Sequence, residues 1–504
     1  MNHKRIPLWQ EDRDRNNYPS LDKNEKAEVA VIGAGLTGIT TAYLLASNGL
    51  DVILIDRGKI GSGTSGHTTA KITAQHGMIY SEFISHFGKE QAQLYFQSQM
   101  EALAKIEELI EKHHIDCHFE KQDAYLYTND EKNKHKLEAE FEAYRTLDID
   151  GEGLLEMPVN FPMSYALKMK DQAQFHPMAY MDALAKAFSE LGGRIYENTP
   201  VYDIDSADHR VIRAVNQHTI VCDQVVIATH FPFYEGEAFY SGRMYPSRSY
   251  VAGFTSNGKY PGGMYLSVDQ QTQSLRSIIH NEEEIWLFGG GEHKTGQYKH
   301  NEEPYRLLKD MASQHFDVKE WKYEWSAQDY TTLDKMPYIG RLNKNRQKIF
   351  LATGYRKWGM TNSMVAANLI TDMIIQNDNP YIDLYRPSRF HPDPDLKQFI
   401  STNTNVAKEF IMGKIGNKND HIDKLEINTA KKVKHHGQTI GIYKDTHEKI
   451  HAVDTTCTHL GCELNWNNTE KTWDCPCHGS RFHYKGDVIE GPAIKPLNKI
   501  DYLN

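Results

Sequence analysis

Two short boxes toward the C-terminal end carry the residues best suited to chemistry. CTHLGC runs from Cys457 to Cys462 and CPCHGS from Cys475 to Ser480, with fifteen residues between His459 and Cys475. Cys457 and Cys475 can supply two thiolates to one iron of a 2Fe–2S cluster, and His459 and His478 two imidazoles to the other. A Cys2His2 zinc site uses the same residue types. Zinc needs nothing more, whereas these boxes add Gly461, Cys462, Pro476, Cys477 and Ser480. The boxes point to one-electron redox chemistry and raise the question of where the electrons come from.

The other end of the chain answers it. AEVAVIGAGLTG leads into TAYLLASNGL and then DVILIDR, which reads as a strand, a Gly33-x-Gly35-x-x-Gly38 turn, a helix and a second strand ending at Asp56. A G-x-G-x-x-G alone is a weak signal. Here it lies between strand and helix, with an acidic residue 21 positions after Gly35, as a dinucleotide-binding βαβ unit requires. The glycines let the backbone approach a pyrophosphate at the helix N-terminus, and Asp56 is placed to accept from ribose hydroxyls. Farther on, LATG (351–354) ends a strand and WGMT (358–361) opens a helix whose positive end suits a flavin pyrimidine ring.

The elements that position these motifs follow from pattern. At 504 residues the length suggests about three domains. A formal charge of −10 gives no electrostatic case for nucleic acid. No run of 18 apolar residues suggests a membrane span, and the polar first 27 residues lack the apolar core of a secretion signal, so a cytoplasmic protein is expected. Cys117 and Cys222 stand apart from the boxes and read as ordinary thiols. Residues 81–115 have helical periodicity, 116–180 read as short strands and turns, and 181–193 as an amphipathic helix ending at Gly192-Gly193. Residues 194–230 read as strands, 245–330 as mostly β, and 348–375 as a strand, a turn and a long helix. YRPSRFHPDPDLK has linker chemistry, 397–415 reads as a helix packed on the preceding domain, and a small β domain begins near 420.

Over roughly residues 28–385 the chain resembles the D-amino-acid-oxidase-like family of FAD-dependent oxidoreductases. The resemblance rests on VIGAGLTG, GTSGHTTAKI, VVIATH, TTLDKMPYIGR (331–341) and LATGYRKWGMT. It implies FAD, with Gly33, Gly35, Gly38, Asp56 and Arg57 on the ADP half and the backbone of Val201 near the adenine. Ser65, Thr68 and Thr69 would lie along the flavin-side loop, with Gly354, Gly359, Met360 and Thr361 at the flavin. Several members place an Arg just before the TTLDKMPYIGR-like segment to clamp a substrate carboxylate. Here that stretch is WSAQDY, without Arg, which leaves Arg356 and Lys357 as substrate-binding candidates. His67 lies where some members attach the flavin covalently; the alternative is a loop histidine touching flavin or phosphate. General bases are unassigned, since Tyr250, Tyr265, His280 and His293 each read better as packing or surface residues.

Residues 420–504 resemble the Rieske proteins of cytochrome bc and b6f complexes. That likeness implies a disulfide between Cys462 and Cys477 and a hydrogen bond from Ser480 to a bridging sulfur. It implies a Tyr two positions after that Ser, where this chain has Phe482, so the potential is expected below that of the high-potential members. GDVIEGPAIKPL (486–497) resembles the loop that covers the cluster.

The expected architecture is an α/β FAD-binding Rossmann-like domain with a mostly β substrate domain, plus a small all-β C-terminal Rieske domain. The division is a polar lead-in (1–27), the oxidoreductase (28–385), a linker with a helix (386–419) and the cluster domain (420–504). Within the oxidoreductase, 28–80, 181–230 and 331–385 are assigned to FAD, and 81–180 and 231–330 to the substrate. The expected function is oxidation of an amine or N-methyl amino acid by FAD, with electrons passed to the cluster and on to an acceptor protein or quinone. The alternatives are an oxygen-using oxidase with a structural or sensing cluster, and an electron-transfer module fed by a partner.

Overall fold

The computed structural model describes residues 4–11, 17–205, 209–298, 303–415 and 425–501. The first sheet has a parallel core in the order Ile349–Thr353, Thr219–Ile227, Glu25–Ile32, Val52–Ile55 and Arg194–Tyr196. Tyr338–Arg341 closes one edge antiparallel, and the hairpin Val201–Asp205 and Arg210–Ala214 continues from Thr219–Ile227. Both faces are covered, as the unbroken apolar run VAVI requires. Successive side chains alternate between faces, so Val29 and Val31 enter one core while Ala30 and Ile32 enter the other. Helices Leu36–Ser47, Pro177–Glu190 and Gly359–Ile375 pack together over one face.

The second sheet has nine strands and turns its long antiparallel trio, Val318–Thr332, Met244–Ser256 and Glu283–Lys294, toward the same site. Lys71–Ile72, directly after the Gly- and Thr-rich loop, joins its far edge, so that loop is stretched between the two sheets. The C-terminal domain has a three-stranded sheet, Thr429–His435, Gln438–Lys444 and Ile450–Asp454, and a four-stranded one built from Asn465–Asn467, Thr472–Asp474, Arg481–His483 and Val488–Glu490.

Several elements differ from the sequence reading. The 81–115 stretch is two helices, Tyr80–Phe87 and Lys89–Lys112, separated at Gly88, whose φ of 86° ends the first. Glu131–Thr146 is a helix inside a segment read as strands and turns. Its sixteen residues bury only Leu137, Glu140, Ala143 and Tyr144, too thin an apolar stripe to stand out. Pro304–His315 is likewise a helix within the β region, capped by Glu303 and started by Pro304. The polar lead-in contributes to the core, because Leu8 and Trp9 are fully buried and Trp9 Nε1 donates to the Thr68 carbonyl at 2.7 Å. The Pro-rich stretch is not free. Buried Arg389 pairs with Asp334 through two bonds, of 2.6 and 2.8 Å, and donates to the carbonyls of Pro337 and Tyr385. Lys397–Ile415 is helical, and it touches both partners. Asn403 donates to the Gly242 carbonyl, while Val406 and Phe410 pack on the C-terminal core.

Candidate functional site

One cavity of about 1530 Å3 runs from the Gly33–Gly38 turn to the C-terminal domain, where Glu470, Arg481 and Glu490 are among the residues that line it. At its first end the glycines are required by space. Gly33 has φ 104°, and a Cβ there would lie 2.5 Å from the Ala228 carbonyl oxygen; one on Gly38 would overlap the carbonyl of Gly33. A Cβ on Gly35 would lie 2.8 Å from Ser65 Oγ. Ser65 Oγ accepts from the Leu36 N–H at 3.1 Å, at the start of a helix with no side-chain cap. Asp56 accepts from the N–H groups of Ala34 (2.6 Å) and Gly58 (2.7 Å); burial nevertheless outweighs those bonds and raises its carboxyl. Gly33, Gly35, Asp56, Arg57, Ser65, Thr68, Thr69 and Val201 all line the cavity, whereas Gly38 supports the turn from behind.

At the end where the resemblance expects the flavin, Gly359 and Met360 line the cavity where helix Gly359–Ile375 begins, again without a side-chain cap. An N-terminus of this kind has free N–H groups for a carbonyl or an anion. Gly354 (φ 78°) lies behind the wall, where a Cβ would overlap the Thr332 methyl. Thr361 is also behind it, between His76 Nε2 (3.2 Å) and the Thr73 carbonyl (3.3 Å). His76 stacks on Trp358 with ring centroids 4.9 Å apart. His67 lines the cavity, with Nδ1 donating to the Gly63 carbonyl at 2.8 Å.

The substrate candidates sit in a mixed-charge wall that the sequence reading only half identified. Arg356 donates to the His76 carbonyl at 2.8 Å, and Lys357 pairs with Glu292 at 2.7 Å. Asp329, from WSAQDY, lines the same region, and burial raises its carboxyl to about 7 against the opposing pull of Lys357. Lys71 faces the cavity from the next strand, donating to the Tyr265 carbonyl and Ser274 Oγ; burial and then Arg276 lower its amine to about 7. Asp329 lies in the WSAQDY stretch noted for its lack of Arg but was not singled out there; Glu292 and Lys71 had no local signal. Of the residues read as packing, Tyr250 reaches the cavity wall, and its hydroxyl meets His293 Nε2 at 3.0 Å.

The cluster boxes meet, with Cys457, Cys475 and His478 buried and His459 partly so. The Cys457 and Cys475 thiols share a hydrogen bond, which lowers Cys457 to about 6 and raises Cys475. The His459 and His478 rings lie 5.2 Å apart at 89°. Nδ1 of each histidine is buried and has no partner, and burial holds His478 down to about 4, the neutral form a metal requires. Two paired sulfurs and two orphaned imidazole nitrogens fit a cluster with thiolates on one iron and imidazoles on the other. Cys462 and Cys477 are joined in a disulfide between the two boxes. Ser480 is fully buried; its Oγ accepts from the Ala493 N–H at 3.1 Å and bonds the Cys457 thiol. Phe482, also buried, has no donor to offer.

The cluster domain closes the cavity. Val488, Ile489, Glu490, Gly491 and Ala493 form part of its wall. Arg57 donates to the Ile489 carbonyl across the boundary. Gln328 donates to the Gly479 carbonyl (2.8 Å) and Tyr330 to the His478 carbonyl (3.2 Å). Tyr330 and its neighbours also bridge to the cofactor side. Its ring is 4.9 Å from His230 and 5.1 Å from Phe231, both cavity-lining, and Phe231 lies 6.2 Å from His459. The backbones meet closely at Gly296 (φ 71°), whose Cβ would fall 2.8 Å from Pro476 N. Buried Arg248 reaches over to Glu490 at 2.8 Å, and Arg481 bonds the same oxygen at 2.8 Å.

Comparison with known proteins accords with this geometry. The family model for FAD dependent oxidoreductase matches residues 28–373, and that for the Rieske [2Fe-2S] domain matches 418–501. YhfW of Bacillus subtilis (strain 168), named as a Rieske 2Fe-2S iron-sulfur protein, is 44% identical over 493 residues, covering 98% of this chain and 97% of the relative. The gamma-glutamylputrescine oxidoreductase of Escherichia coli (strain K12) is 22% identical over 404 residues, covering 75% of this chain and 90% of its own. The crystal structure of glycine oxidase from Geobacillus kaustophilus superposes with a TM-score of 0.61 at 20% identity, covering 73% of this chain and all of the other, which shows the shared fold. The glycine cradle and cavity suit FAD, the two Cys–His boxes suit a 2Fe–2S cluster, and the chain belongs to the FAD-dependent oxidoreductase family, with a C-terminal Rieske domain seated on its cofactor cavity.

Proposed function

We propose that the chain oxidises the C–N bond of an amine or N-methyl amino acid and passes the two electrons, one at a time, through its own cluster to an external protein or quinone. The observation that carries this reading is the shared wall: a single cavity begins at the glycine cradle and ends on the C-terminal domain, at Arg481 and the stretch from Asp487 to Gly491, and Tyr330 in its wall donates to the carbonyl of His478. When bound, FAD supplies two-electron acceptance and the cluster supplies one-electron carriage. Substrate leaves as an imine, which water converts to an aldehyde or ketone and an amine.

The residues of the chain hold, orient and enclose. The Gly33–Gly38 turn and Asp56 would grip the ADP half, and the start of helix Gly359–Ile375 the flavin. Thr64 Oγ1, His230, Phe231 and Tyr330 fill the space between that cavity and the histidine ligands. Fusion keeps donor and acceptor at high effective concentration. On the substrate side, Arg356 and Lys357 are already engaged, by the His76 carbonyl and Glu292, and Asp329 and Glu292 add carboxylates. A wall of mixed charge suits a substrate with an ammonium as well as an anionic group better than one gripped by a bidentate arginine clamp. The amine named in the Escherichia coli relative supports the same substrate class.

The test mixes the holoprotein anaerobically with secondary and tertiary amines, N-methyl amino acids and polyamine derivatives while following flavin absorbance, then repeats it in air with a peroxide assay. Flavin bleaching with little peroxide is expected. Peroxide equal to substrate consumed supports the oxidase, and no bleaching by any amine supports the partner-fed module. No helix among the described residues is long and apolar enough to cross a membrane, so a quinone acceptor is to be tested with a water-soluble analogue.

A further inference from the structure

The two histidine ligands do not have equal surroundings. His459 is met by Glu235, which comes from the other domain, on the segment that follows strand Thr219–Ile227. The Glu235 carboxylate is held in place: Oε2 accepts from the Ser241 N–H at 2.8 Å and from Ser241 Oγ at 3.2 Å. That leaves Oε1 aimed at Nε2 of His459, 3.7 Å away. On the opposite side of the same ring, Nδ1 is buried and without a partner, as a metal ligand requires. Phe231, four residues before Glu235, stands edge-on to the His459 ring. Among the described residues, His478 has no ion pair of this kind.

We propose that Glu235 is a positioning residue for the cluster, supplied across the domain boundary. Its carboxylate stands 3.7 Å from Nε2 of His459, biases the ring so that Nδ1 faces the iron, and lowers the reduction potential of the cluster. Carboxylates on the far nitrogen of metal-bound histidines orient the ring and raise its basicity. A fixed negative charge beside the imidazole also disfavours an added electron, so both effects act in the same direction. Because Glu235 belongs to the oxidoreductase part of the chain, the cluster feels the charge only while the Rieske domain is seated. Coupling of this kind is reciprocal: whatever the contact does to the potential, reduction of the cluster does to the seating. An electron arriving on the cluster therefore loosens the contact that oriented its ligand.

The test is a dithionite titration of the full-length holoprotein followed by the EPR signal of the reduced cluster, so it does not depend on which amine is the substrate. The variants are E235Q, E235A, E235D and E237Q, the last removing the same charge from an exposed position two residues along. E235Q and E235A are expected to raise the midpoint potential and shift the g-values, with E235D returning toward the parent and E237Q unchanged. If E235A fails to load iron, E235Q and E235D decide the matter. Hydrogen exchange of residues 457–462 and 475–480 gives a second readout. It should be faster in the reduced than the oxidised parent, with a smaller difference in E235Q. Unchanged potentials in E235Q and E235A, or an equal shift in E237Q, would overturn the proposal.

Discussion

Glu490 gives the most quantitative handle on how the Rieske domain is seated. Burial alone would raise its carboxyl, but Arg481 and Arg248 outweigh burial and hold it at about 2 against an ordinary value of 4.5. At about 1.4 kcal/mol per unit, that shift corresponds to roughly 3 kcal/mol of stabilisation at neutral pH. The loss from breaking one side of a buried ion pair is of the same order, about 3–5 kcal/mol. The Glu490 side chain is only 20% exposed and Arg248 only 1%, so solvent screening is limited. Glu490→Gln keeps the shape and removes the charge. Arg481 then retains Asp474 at 3.1 Å, and Arg248 retains the Ser326 hydroxyl. Hydrogen exchange of residues 481–490 should report destabilisation of roughly 3 kcal/mol at pH 7, about a 150-fold faster exchange. The sign of the pH dependence follows from a depressed carboxyl: the contribution is complete above 4.5 and is lost as pH falls through about 2. The gap between parent and variant should narrow to roughly 1.4 kcal/mol at pH 3. Equal exchange at pH 7, or a gap of the same size at pH 7 and pH 3, would refute the reasoning.

Three further outcomes follow. Gly38→Ala forces a Cβ against the Gly33 carbonyl, so the variant should lose FAD on gel filtration while retaining the EPR signal of the dithionite-reduced cluster. Replacing both Cys462 and Cys477 with Ser opens a bridge of 15-residue separation, which should cost the Rieske domain about 3 kcal/mol by urea unfolding and speed iron loss to a chelator. Gly296→Ala places a Cβ 2.8 Å from Pro476 N at a positive φ. It should slow cluster reduction relative to flavin reduction in anaerobic stopped flow, leaving the flavin step unchanged.

The chemistry was legible wherever it is carried by neighbours in sequence. Gly33, Gly35, Gly38 and Asp56 lie within one strand–turn–helix–strand unit, and the cluster boxes lie within 24 residues, Cys457 to Ser480. The helix Lys397–Ile415 was legible from its periodicity, but its contact with both domains was not. The helices Glu131–Thr146 and Pro304–His315 had caps in Asp130 and Glu303 that could have announced them, yet their apolar stripes are short and broken by charge. The seating of the Rieske domain had no local signal, because Arg248 and Glu490 are separated by 242 residues and Arg57 meets Ile489 across 432. Arg57 illustrates the point: a motif predicts which side chain stands beside the dinucleotide, whereas only the tertiary structure shows that it also bonds the cluster domain.

The central claim is that substrate, flavin and cluster form one circuit. The most direct measurement is low-temperature EPR of the anaerobic holoprotein, taken before and after a pool of secondary and tertiary amines and N-methyl amino acids is added. The account predicts a rhombic Rieske signal that grows with the amine pool, and loss of that signal in the Gly38→Ala protein, which still responds to dithionite. A parent protein whose flavin is bleached by an amine while its dithionite-reducible cluster stays silent would contradict the account.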